Sequence, residues 1–495
     1  MKAKKRVLST ILSLSSILLV GCNKNISSSS SCSITTSTPT IESTPEPTPE
    51  PTPSKTVEEL NKELFDNYAI LGTNKVTIIG FRDTIPEEYL NLETIIIPEK
   101  IEGNEYTIKE IQNIKGGLFS KFSKVKTIKI PSTITSILTL NSGSSSYESS
   151  PFVNLPNLEN IEVDSENKWY FSKSNCLIEL ESEWVEGVQT SKGTYKVICG
   201  WKNVEIPDEI TTIRSYGFSY NTSITSIKLN SGLTLVGEQG LTYLPNLTNI
   251  DLNGNTNFAL IENDSYKVFY DLKSNRIWWA TGDVIVPENV TRFEMKGFSN
   301  VTSVKLHDKV TILYINCING TKIKSLSIPA SANAIYASSF AGVNEINLTI
   351  SPDNNHFNLK DNVLYFNISE GTSSGNLTYA YNDAIIPDEI ITLGSYNFRY
   401  CQALSSLTLH NNFQTVSTTA FNLISSEKFN AIKFKGTVAQ FKTKKFTSTG
   451  SNIPYSLYDC LKQYPSLTVN FLEDDGSGNW STIKETHIMS EIESL

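Results

Sequence analysis

Two cysteines, Cys176 and Cys199, could react with each other to form a disulfide. They lie at the outer ends of two β-rich runs that a polar turn joins. Pairing the runs so that the cysteines face each other gives sensible cross-strand neighbours: Leu177 with Ile198, Glu179 with Lys196, and Leu180 with Tyr195. Such a bridge would persist in an exported protein. The alternative is two small buried residues, because cross-strand geometry often strains a disulfide.

Aromatic side chains on the β-rich runs could bind a sugar. Trp278 and Trp279 are adjacent in a predicted strand, so one ring could be buried while the other points outward. Trp169 lies at the start of the first long repeat unit and Tyr379 in the third. Flat aromatic faces can stack on sugars, and Trp and Tyr are enriched in binding hot spots. The alternative is that these rings fill the gap that a long insertion opens in the core.

The other reactive residue types form no recognisable catalytic or metal-binding pattern. His307 and His410 occupy the same repeat position, which predicts surface residues and not a metal pair. The chain lacks H-E-x-x-H, G-x-S-x-G, phosphate-loop and dinucleotide motifs, and the acidic run 473–479 lacks calcium-loop spacing. Acid pairs for glycoside hydrolysis need only proximity in space, and none stands out. We therefore predict no enzyme activity, no cofactor and no metal site.

The charge of the chain argues against a nucleic-acid partner. Its 495 residues contain 42 Lys and Arg against 51 Asp and Glu, which gives a net charge of −9. Four of the basic residues lie within the first six positions, so the remainder is more acidic still. Binding to a phosphate backbone requires clustered Lys and Arg. We therefore expect no nucleic-acid binding.

The first 21 residues have the pattern of an export signal. Basic residues precede the apolar run Val7–Val20, which is too short and too often interrupted by Ser to span a membrane. The sequence Leu19-Val-Gly-Cys22 resembles the lipobox of bacterial lipoproteins, and this resemblance implies cleavage before Cys22 and a lipid on its thiol. A plain secretory signal is the alternative. Residues 22–55, rich in Ser, Thr and Pro, are predicted to be a disordered stalk.

From residue 56 the sequence predicts a capped repeat array. Residues 56–94 should form an N-terminal cap, in which the capping box Thr56-Val-Glu-Glu59 begins a helix and a strand follows at Lys75–Phe81. Residues 95–441 repeat a unit typified by VEIPDEITTIRSYGF at Val204–Phe218. In seven units an apolar residue follows nine positions after the first inward residue, and an apolar plug follows five positions later. The first inward residues are Ile95, Ile128, Ile161, Val204, Ile227, Ile250, Val284, Val304, Leu326, Ile346, Ala384, Leu407 and Ile432.

This repeat resembles the BspA-type leucine-rich repeat family of bacterial surface proteins. The family elements L-x-x-I-x-I-P, V-x-x-I and A-F correspond to SLSIP at Ser325–Pro329, ITTI at Ile210–Ile213 and SSF at Ser338–Phe340. The strands at Ile227 and Ile250 depart from the family pattern because they lack the proline. The resemblance implies a solenoid of short strands joined by turns, and adhesion to host matrix proteins or other cells.

Three long units, which begin at Ile161, Ile250 and Ile346, each contain two β-rich runs around a polar turn. These runs predict β-hairpins inserted between ordinary coils. The predicted fold class is therefore a β-rich, leucine-rich-repeat-like solenoid that carries inserted β-hairpins. Residues 442–495 are expected to form a C-terminal cap, with a loose tail from about Gly476.

Outward-facing strand positions are predicted to form a long polar surface. Because side chains alternate along a strand, one column runs through Asn160, Asn203, Ser226, Asn249, Asp283, Ser303, Ser325, Glu345, Asp383 and Ser406. An extended partner could form hydrogen bonds along this column, with Asn203 and Asn249 as candidate contacts. A solenoid that is merely soluble would show the same pattern.

Together these features predict a binding protein that is exposed at the bacterial surface and lipid-anchored to the outer face of a membrane. The expected partners are membrane lipid, through acylated Cys22, and an extracellular protein or glycan. The leading hypothesis is an adhesin that contacts matrix proteins or other cells through its repeats. The alternatives are a polysaccharide-binding protein that uses the hairpin aromatics, and an envelope scaffold without a dedicated ligand.

Overall fold

A computed structural model describes residues 55–495 except 66, 73, 82–83, 102–105, 113–116, 139–149, 187, 368–376, 425 and 449–450. The described residues belong to one compact unit, Lys55–Leu495. Cys22 and the rest of the predicted leader and stalk up to residue 54 lie outside them. Within the described residues, no helix is both long enough and apolar enough to cross a membrane.

The N-terminal part begins with the predicted capped helix. The Thr56 hydroxyl accepts a hydrogen bond from the Glu59 amide (3.3 Å), and the Glu59 carboxylate accepts one from the Thr56 amide (2.8 Å). Leu64 is the fully buried residue of this helix. The elements of this part are α1 (Val57–Leu64), β1 (Asn67–Gly72), β2 (Lys75–Gly80), α2 (Glu87–Leu90), β3 (Thr94–Ile96), β4 (Thr107–Gln112), β5 (Thr127–Ile130), β6 (Ser136–Leu138) and β7 (Asn160–Val163).

From Tyr170 the chain repeats one scheme three times: a three-stranded antiparallel meander, then coils that carry one long and one short strand. The first round contains β8 (Tyr170–Lys173), β9 (Cys176–Val185), β10 (Val188–Gly200), β11 (Asn203–Glu205), β12 (Thr212–Ile213), β13 (Ser226–Lys228), β14 (Leu235–Val236) and β15 (Asn249–Asp251). The second contains β16 (Phe258–Glu262), β17 (Tyr266–Asp271), β18 (Ile277–Ile285), β19 (Arg292–Phe293), β20 (Val301–Lys305), β21 (Ile312–Leu313), β22 (Ser325–Ile328), β23 (Ala334–Ile335) and β24 (Asn347–Ile350). The third contains β25 (Phe357–Lys360), β26 (Val363–Phe366), β27 (Leu377–Ala380), β28 (Asn382–Ile385), β29 (Thr392–Leu393), β30 (Leu404–Leu409) and β31 (Thr415–Val416).

The inserted units differ from the prediction because each is a three-stranded meander and not a two-stranded hairpin. In each meander the first strand pairs antiparallel with the second, and the second with the third. The additional strands are β8, β16 and β25, which are only four or five residues long. Runs this short carry too little alternation to be recognised as strands from the sequence.

The long strands form parallel ladders in the predicted register. Val204 pairs with Ile227, and Ile227 pairs with Ile250, so equivalent inward residues stack coil upon coil. The prediction fails at one coil, where Leu326 pairs with Leu348 and not with Ile346. Ile346 and Leu348 are two positions apart and both buried. Because inward residues recur every two positions in a strand, the sequence pattern fits either register.

The short strands form separate parallel ladders, which confirms the nine-residue offset. Ile213 pairs with Val236, and in the second round Phe293, Leu313 and Ile335 stack in turn. The predicted plug residues are all buried: Phe218, Leu241, Phe298, Ile318, Phe340, Phe398 and Phe421. Each coil therefore contributes its strand, its second step and its plug to a core shared with its neighbours.

A row of Asn and His side chains joins each coil to the turn of the coil before it. Asn255, for example, donates from Nδ2 to the carbonyls of Asn230 and Leu233, both at 2.8 Å. His410 fills the same role through Nε2, which lies 3.2 Å from the Pro387 carbonyl. The members of this row are Asn167, Asn230, Asn255, His307, Asn354 and His410. The prediction that His410 is a surface residue is wrong, because its side chain is buried.

The buried His410 should make the stability of the fold depend on pH. Burial lowers the pKa of His410. Its Nδ1 accepts a hydrogen bond from the Asn412 amide (3.0 Å), which only the neutral ring can do. An unfolded histidine takes up its proton near pH 6.5, so below that pH the unfolded chain binds more protons than the folded one. The contribution of His410 to the free energy of unfolding is therefore fully present above about pH 6.5, and it decreases as the pH drops below that value.

We expect His410→Asn to reduce this loss, because Asn occupies the equivalent position in four other coils. Thermal midpoints measured from pH 7.5 to 5 would fall less steeply in the variant than in the parent chain. His356→Asn is the matched control, since His356 is exposed, and its profile should follow that of the parent. Identical slopes in all three proteins would contradict the assignment.

The C-terminal part is ordered where a loose tail was predicted. Its elements are β32 (Ala431–Lys435), α3 (Val438–Thr443), β33 (Phe446–Ser448), β34 (Ser451–Tyr455), α4 (Leu457–Leu461), β35 (Thr468–Glu473), β36 (Thr482–Ile488) and α5 (Met489–Ile492). β35 extends the long-strand ladder, and β36 folds back on it antiparallel. Met489 and Ile492 are buried, so α5 contributes to the core. Two apolar residues in a polar segment were too weak a signal to predict this.

Candidate functional site

The outward face of the long-strand ladders carries most of the predicted polar column. Two members depart from the prediction, because Ser406 is buried and Asn347, not Glu345, pairs with Ser325. Asn203 and Asn249 are both exposed. Where a ladder resumes after a meander, an Asn or Asp accepts two hydrogen bonds through Oδ1 from hydroxyl groups of the next coil. These bonds are Asn203 from Thr225 (2.8 Å) and Ser226 (3.0 Å), Asp283 from Ser303 (2.7 Å) and Thr302 (2.8 Å), and Asp383 from Ser406 (2.7 Å) and Ser405 (2.9 Å). They lower the pKa of Asp283 and Asp383, so both carboxylates stay ionised at neutral pH.

Three of the four candidate aromatic residues are buried and offer no ring face to a ligand. Trp278 and Trp279 are 6% and 2% exposed, and Tyr379 is fully buried. The guanidinium of Arg276 covers Trp278, 4.5 Å from the ring centroid. Trp169 is half-buried. The prediction that one ring of the tryptophan pair faces outward is therefore wrong, and these rings instead fill the core beneath the insertions.

A β-bulge explains why adjacent tryptophans are both buried. In the β17–β18 pairing, Trp279 pairs with Phe269, but Trp278 has no partner and the pairing resumes at Ile277. A bulge of this kind interrupts the alternation of side chains. The same bulge recurs in all three meanders, at Ile198, Trp278 and Thr378. The candidates Cys199, Trp279 and Tyr379 thus occupy one equivalent position directly after the bulge, and all three are core residues.

The same bulge separates the two candidate disulfide cysteines. Cys199 pairs with Leu177, and Cys176 pairs with Gly200, so the predicted facing of Cys176 and Cys199 is wrong by one residue. The neighbouring pairs are as predicted: Glu179 with Lys196 and Leu180 with Tyr195. Both cysteines are free, buried thiols. Burial raises the pKa of Cys199 to about 12, which is typical of an unreactive core cysteine.

An open cleft that the sequence analysis missed lies between β7 and β8, with a volume of about 350 Å³. Residues of both strands and of the turn between them line it, including Asn160, Glu162, Asp164, Ser165, Phe171 and Ser172. The signal in the sequence was the long unit that begins at Ile161. Inserting a meander there separates β7 from the next ladder and leaves space beside it.

A second surface feature that was not predicted from the sequence is an aromatic pair on the short-strand side, in which Tyr336 is exposed and Tyr314 is half-buried. Tyr314 packs against Tyr336 edge to face, with ring centroids 5.8 Å apart. The guanidinium of Arg292 covers the Tyr314 ring, 3.3 Å from its centroid. Tyr336 is 44% exposed. Both tyrosines directly follow the inward residue of a short strand, so their shared repeat position is the signal that the sequence contains.

Comparison with known families assigns the repeat. The model of the BspA type leucine rich repeat region matches residues 190–283, 280–384 and 376–459, with six copies, and these ranges together span more than half of the chain. The chain belongs to this family. Before residue 190, Ile95, Ile128 and Ile161 also stack on one another, in a separate parallel ladder of β3, β5 and β7.

Several solved structures are similar to this BspA-type protein. They include a leucine rich cell surface protein of Faecalibacterium prausnitzii (16% identity, TM-score 0.31, 78% of this chain and 96% of that chain). Another is the pneumococcal vaccine antigen PcpA (12%, 0.20, 74% and 69%), and a third is a leucine-rich repeat protein of Eubacterium ventriosum (14%, 0.24, 61% and 71%). No curated protein sequence matches the chain. Because these TM-scores are low, the family assignment rests on the repeat match.

Proposed function

We propose that this BspA-type protein is a lipid-anchored bacterial surface protein that binds other proteins through the outward face of its long-strand ladders. The observation that carries the proposal is the exposed polar column that includes Asn203 and Asn249. Adjacent coils in a ladder lie about 4.8 Å apart, so an extended partner crossing the strands meets a new polar group at every coil. Host matrix proteins and the surfaces of other cells are the partners we propose.

The face can be tested by placing bulky charges on it. We expect the double variant Asn203→Arg and Asn249→Arg to weaken binding of the fragment Lys55–Leu495 to matrix proteins or whole cells about tenfold or more, because both side chains would obstruct the contact surface. This fragment is a compact unit with its own core. Surface plasmon resonance measures the change, and circular dichroism checks the fold.

The matched control is the pair Leu235→Arg and Tyr336→Arg, which adds the same charge at exposed positions on the short-strand side. Binding should be retained in this control. Equal losses in both double variants would contradict the assignment of the face. Uniformly flat responses of the unmodified fragment to all partners would reject adhesion and favour a scaffold.

The proposed anchor depends on Cys22. Only a thiol at this position can carry the lipid, so Cys22→Ala should move the protein from the detergent phase to the aqueous phase when cell envelopes are partitioned in a phase-separating detergent. Incorporation of a radiolabelled fatty acid should be lost at the same time. A Cys22→Ala protein that still incorporates the fatty acid would contradict lipidation at this residue.

A further inference from the structure

Two equivalent Asp-x-Ile segments, one in β18 and one in β28, combine a carboxylate with an exposed apolar side chain. Each lies where a long-strand ladder begins after a meander, in the second and third rounds respectively. Asp283 and Ile285 are two positions apart in one strand, so they face outward together, as do Asp383 and Ile385. The two isoleucines are 51% and 39% exposed. The ladder face therefore carries the same pair of outward side chains twice.

The first round shows that the fold requires neither member of this pair. Asn203 occupies the position of the two aspartates there, and its Oδ1 accepts the same two hydroxyl bonds from the next coil. Glu205 occupies the position of the two isoleucines and is exposed. A side chain that stays in water on folding contributes little to stability. The recurrence of a charge beside an exposed isoleucine therefore points to a contact outside the fold.

A second acidic residue adjoins each segment, on the first turn of the neighbouring meander. In the second round the Ser265 carbonyl accepts a hydrogen bond from the Asp283 amide (3.2 Å), and the residue before it is the exposed Asp264. In the third round the carbonyl of Asp361, itself exposed, accepts one from the Ile385 amide (3.0 Å). Each exposed isoleucine thus has two acidic residues close to it along the backbone.

The four carboxylates form no ion pair within the residues that the structure describes. Lys267 and Lys360, on the adjoining meander strands, pair with glutamates instead. One ammonium group lies on a later strand of each ladder sheet, from Lys305 on β20 and Lys433 on β32, so the carboxylates outnumber it. Each segment therefore favours a cationic partner and disfavours an anionic one.

From this charge and these apolar contacts we infer that the ladder face recognises a polypeptide segment that combines Lys or Arg with an apolar residue. One basic and one apolar side chain about 7 Å apart, as at alternate positions of an extended chain, would meet Asp283 and Ile285 together. The inference rests on the protein binding proposed above and specifies the partner of that face. A sugar suits the segments less, because isoleucine offers no flat ring. Within the described residues no group of three or more His, Cys, Asp or Glu is placed to hold a metal ion.

The test measures binding of the full chain to immobilised peptides by surface plasmon resonance. The probe is the octapeptide Lys-Ser-Val-Ser-Lys-Ser-Val-Ser, which presents Lys and Val on one face of an extended chain. Two comparison peptides replace either both lysines by Glu or both valines by Ser. We expect the probe to bind, and each replacement to weaken binding about fivefold or more. Binding of the probe should also weaken as the NaCl concentration is raised, because salt screens exposed charge pairs.

Two double variants test the segments themselves. Asp283→Asn with Asp383→Asn removes both charges but keeps the hydroxyl bonds, since Asn203 makes the same bonds in the first round. We expect this variant to bind the probe about fivefold or more weakly at an unchanged thermal midpoint. Ile285→Ser with Ile385→Ser should weaken binding several-fold through the lost apolar contact.

The matched controls change the same residue types elsewhere on the surface. Asp164→Asn with Asp475→Asn removes the same total charge from two exposed turns, and Leu235→Ser removes an exposed apolar side chain from the short-strand side. Both controls should bind the probe as the unmodified chain does. Absence of probe binding, preference for the Glu peptide, or equal losses in the controls and the ladder-face variants would each overturn the inference.

Binding to matrix proteins and whole cells, measured in parallel, keeps this inference separable from the proposed function. If the chain bound the probe but no matrix protein or cell, adhesion alone would be rejected. If it bound a matrix protein and the Asp283→Asn, Asp383→Asn variant bound that protein equally well, recognition through the Asp-x-Ile segments alone would be rejected.

Discussion

Replacing Trp279 by Ala should lower the free energy of unfolding by about 3–5 kcal/mol, the usual cost of removing a large buried ring. Trp279 follows the bulge of the second meander and pairs across the sheet with Phe269. Phe269 in turn stacks on Phe258, with ring centroids 5.1 Å apart. The cavity left by Trp279 would therefore lie among aromatic rings, and the neighbouring side chains could not move to fill it. Urea unfolding followed by far-UV circular dichroism measures the loss.

Trp169→Ala is the control for Trp279→Ala, because Trp169 is only half-buried. It should cost about 1–2 kcal/mol, since part of its ring already lies in water. The comparison also decides between two roles for the meander aromatics. If Trp279→Ala left stability unchanged and instead abolished retention on a polysaccharide, the ring would be a ligand contact and the core assignment would be wrong.

The repeat could be predicted from the sequence because its inward residues recur at fixed offsets. Val204, Ile213 and Phe218 specify strand, second step and plug, and each pairs or packs as this pattern requires. The error at Ile346 arose because two equally apolar residues lie two positions apart, Ile346 just before β24 and Leu348 within it. Periodicity defines which face is buried, but it does not distinguish registers that differ by a full pleat.

The candidate site residues were harder to predict because the rule used for them fails at a bulge. Strict alternation places Trp278 and Trp279 on opposite faces and sets Cys176 opposite Cys199. One extra residue in each meander changes both conclusions. A bulge has no reliable mark in a single sequence, since any residue type can occupy it, as Ile198, Trp278 and Thr378 show. The β7–β8 cleft was missed for a related reason: it arises from strands that do not pair.

Replacing Asn255 by Ala should destabilise the fold by about 2–4 kcal/mol, because it leaves several buried polar groups unpaired. The Asn255 amide joins two parts of the chain. Its Nδ2 group donates to the carbonyls of Asn230 and Leu233 in the preceding coil, and its Oδ1 accepts from the Asn257 amide (2.8 Å) just before β16. The side chain therefore fixes both the turn of one coil and the start of the next meander. Urea unfolding again measures the change.

Two further variants distinguish the role of the buried Asn255 from that of an exposed asparagine with a single hydrogen bond. Asn246→Ala removes an exposed side chain that makes one bond to the Thr222 carbonyl (2.6 Å), so it should cost under about 1 kcal/mol. Asn255→His should retain part of the stability, because His307 and His410 serve this position in other coils through Nε2. If Asn255→Ala and Asn246→Ala lower the free energy of unfolding equally, the row of Asn and His side chains is a consequence of coil stacking and not one of its causes. If stability instead decreases from Asn to His to Ala at position 255, the row of Asn and His side chains holds each coil in register with the one before it.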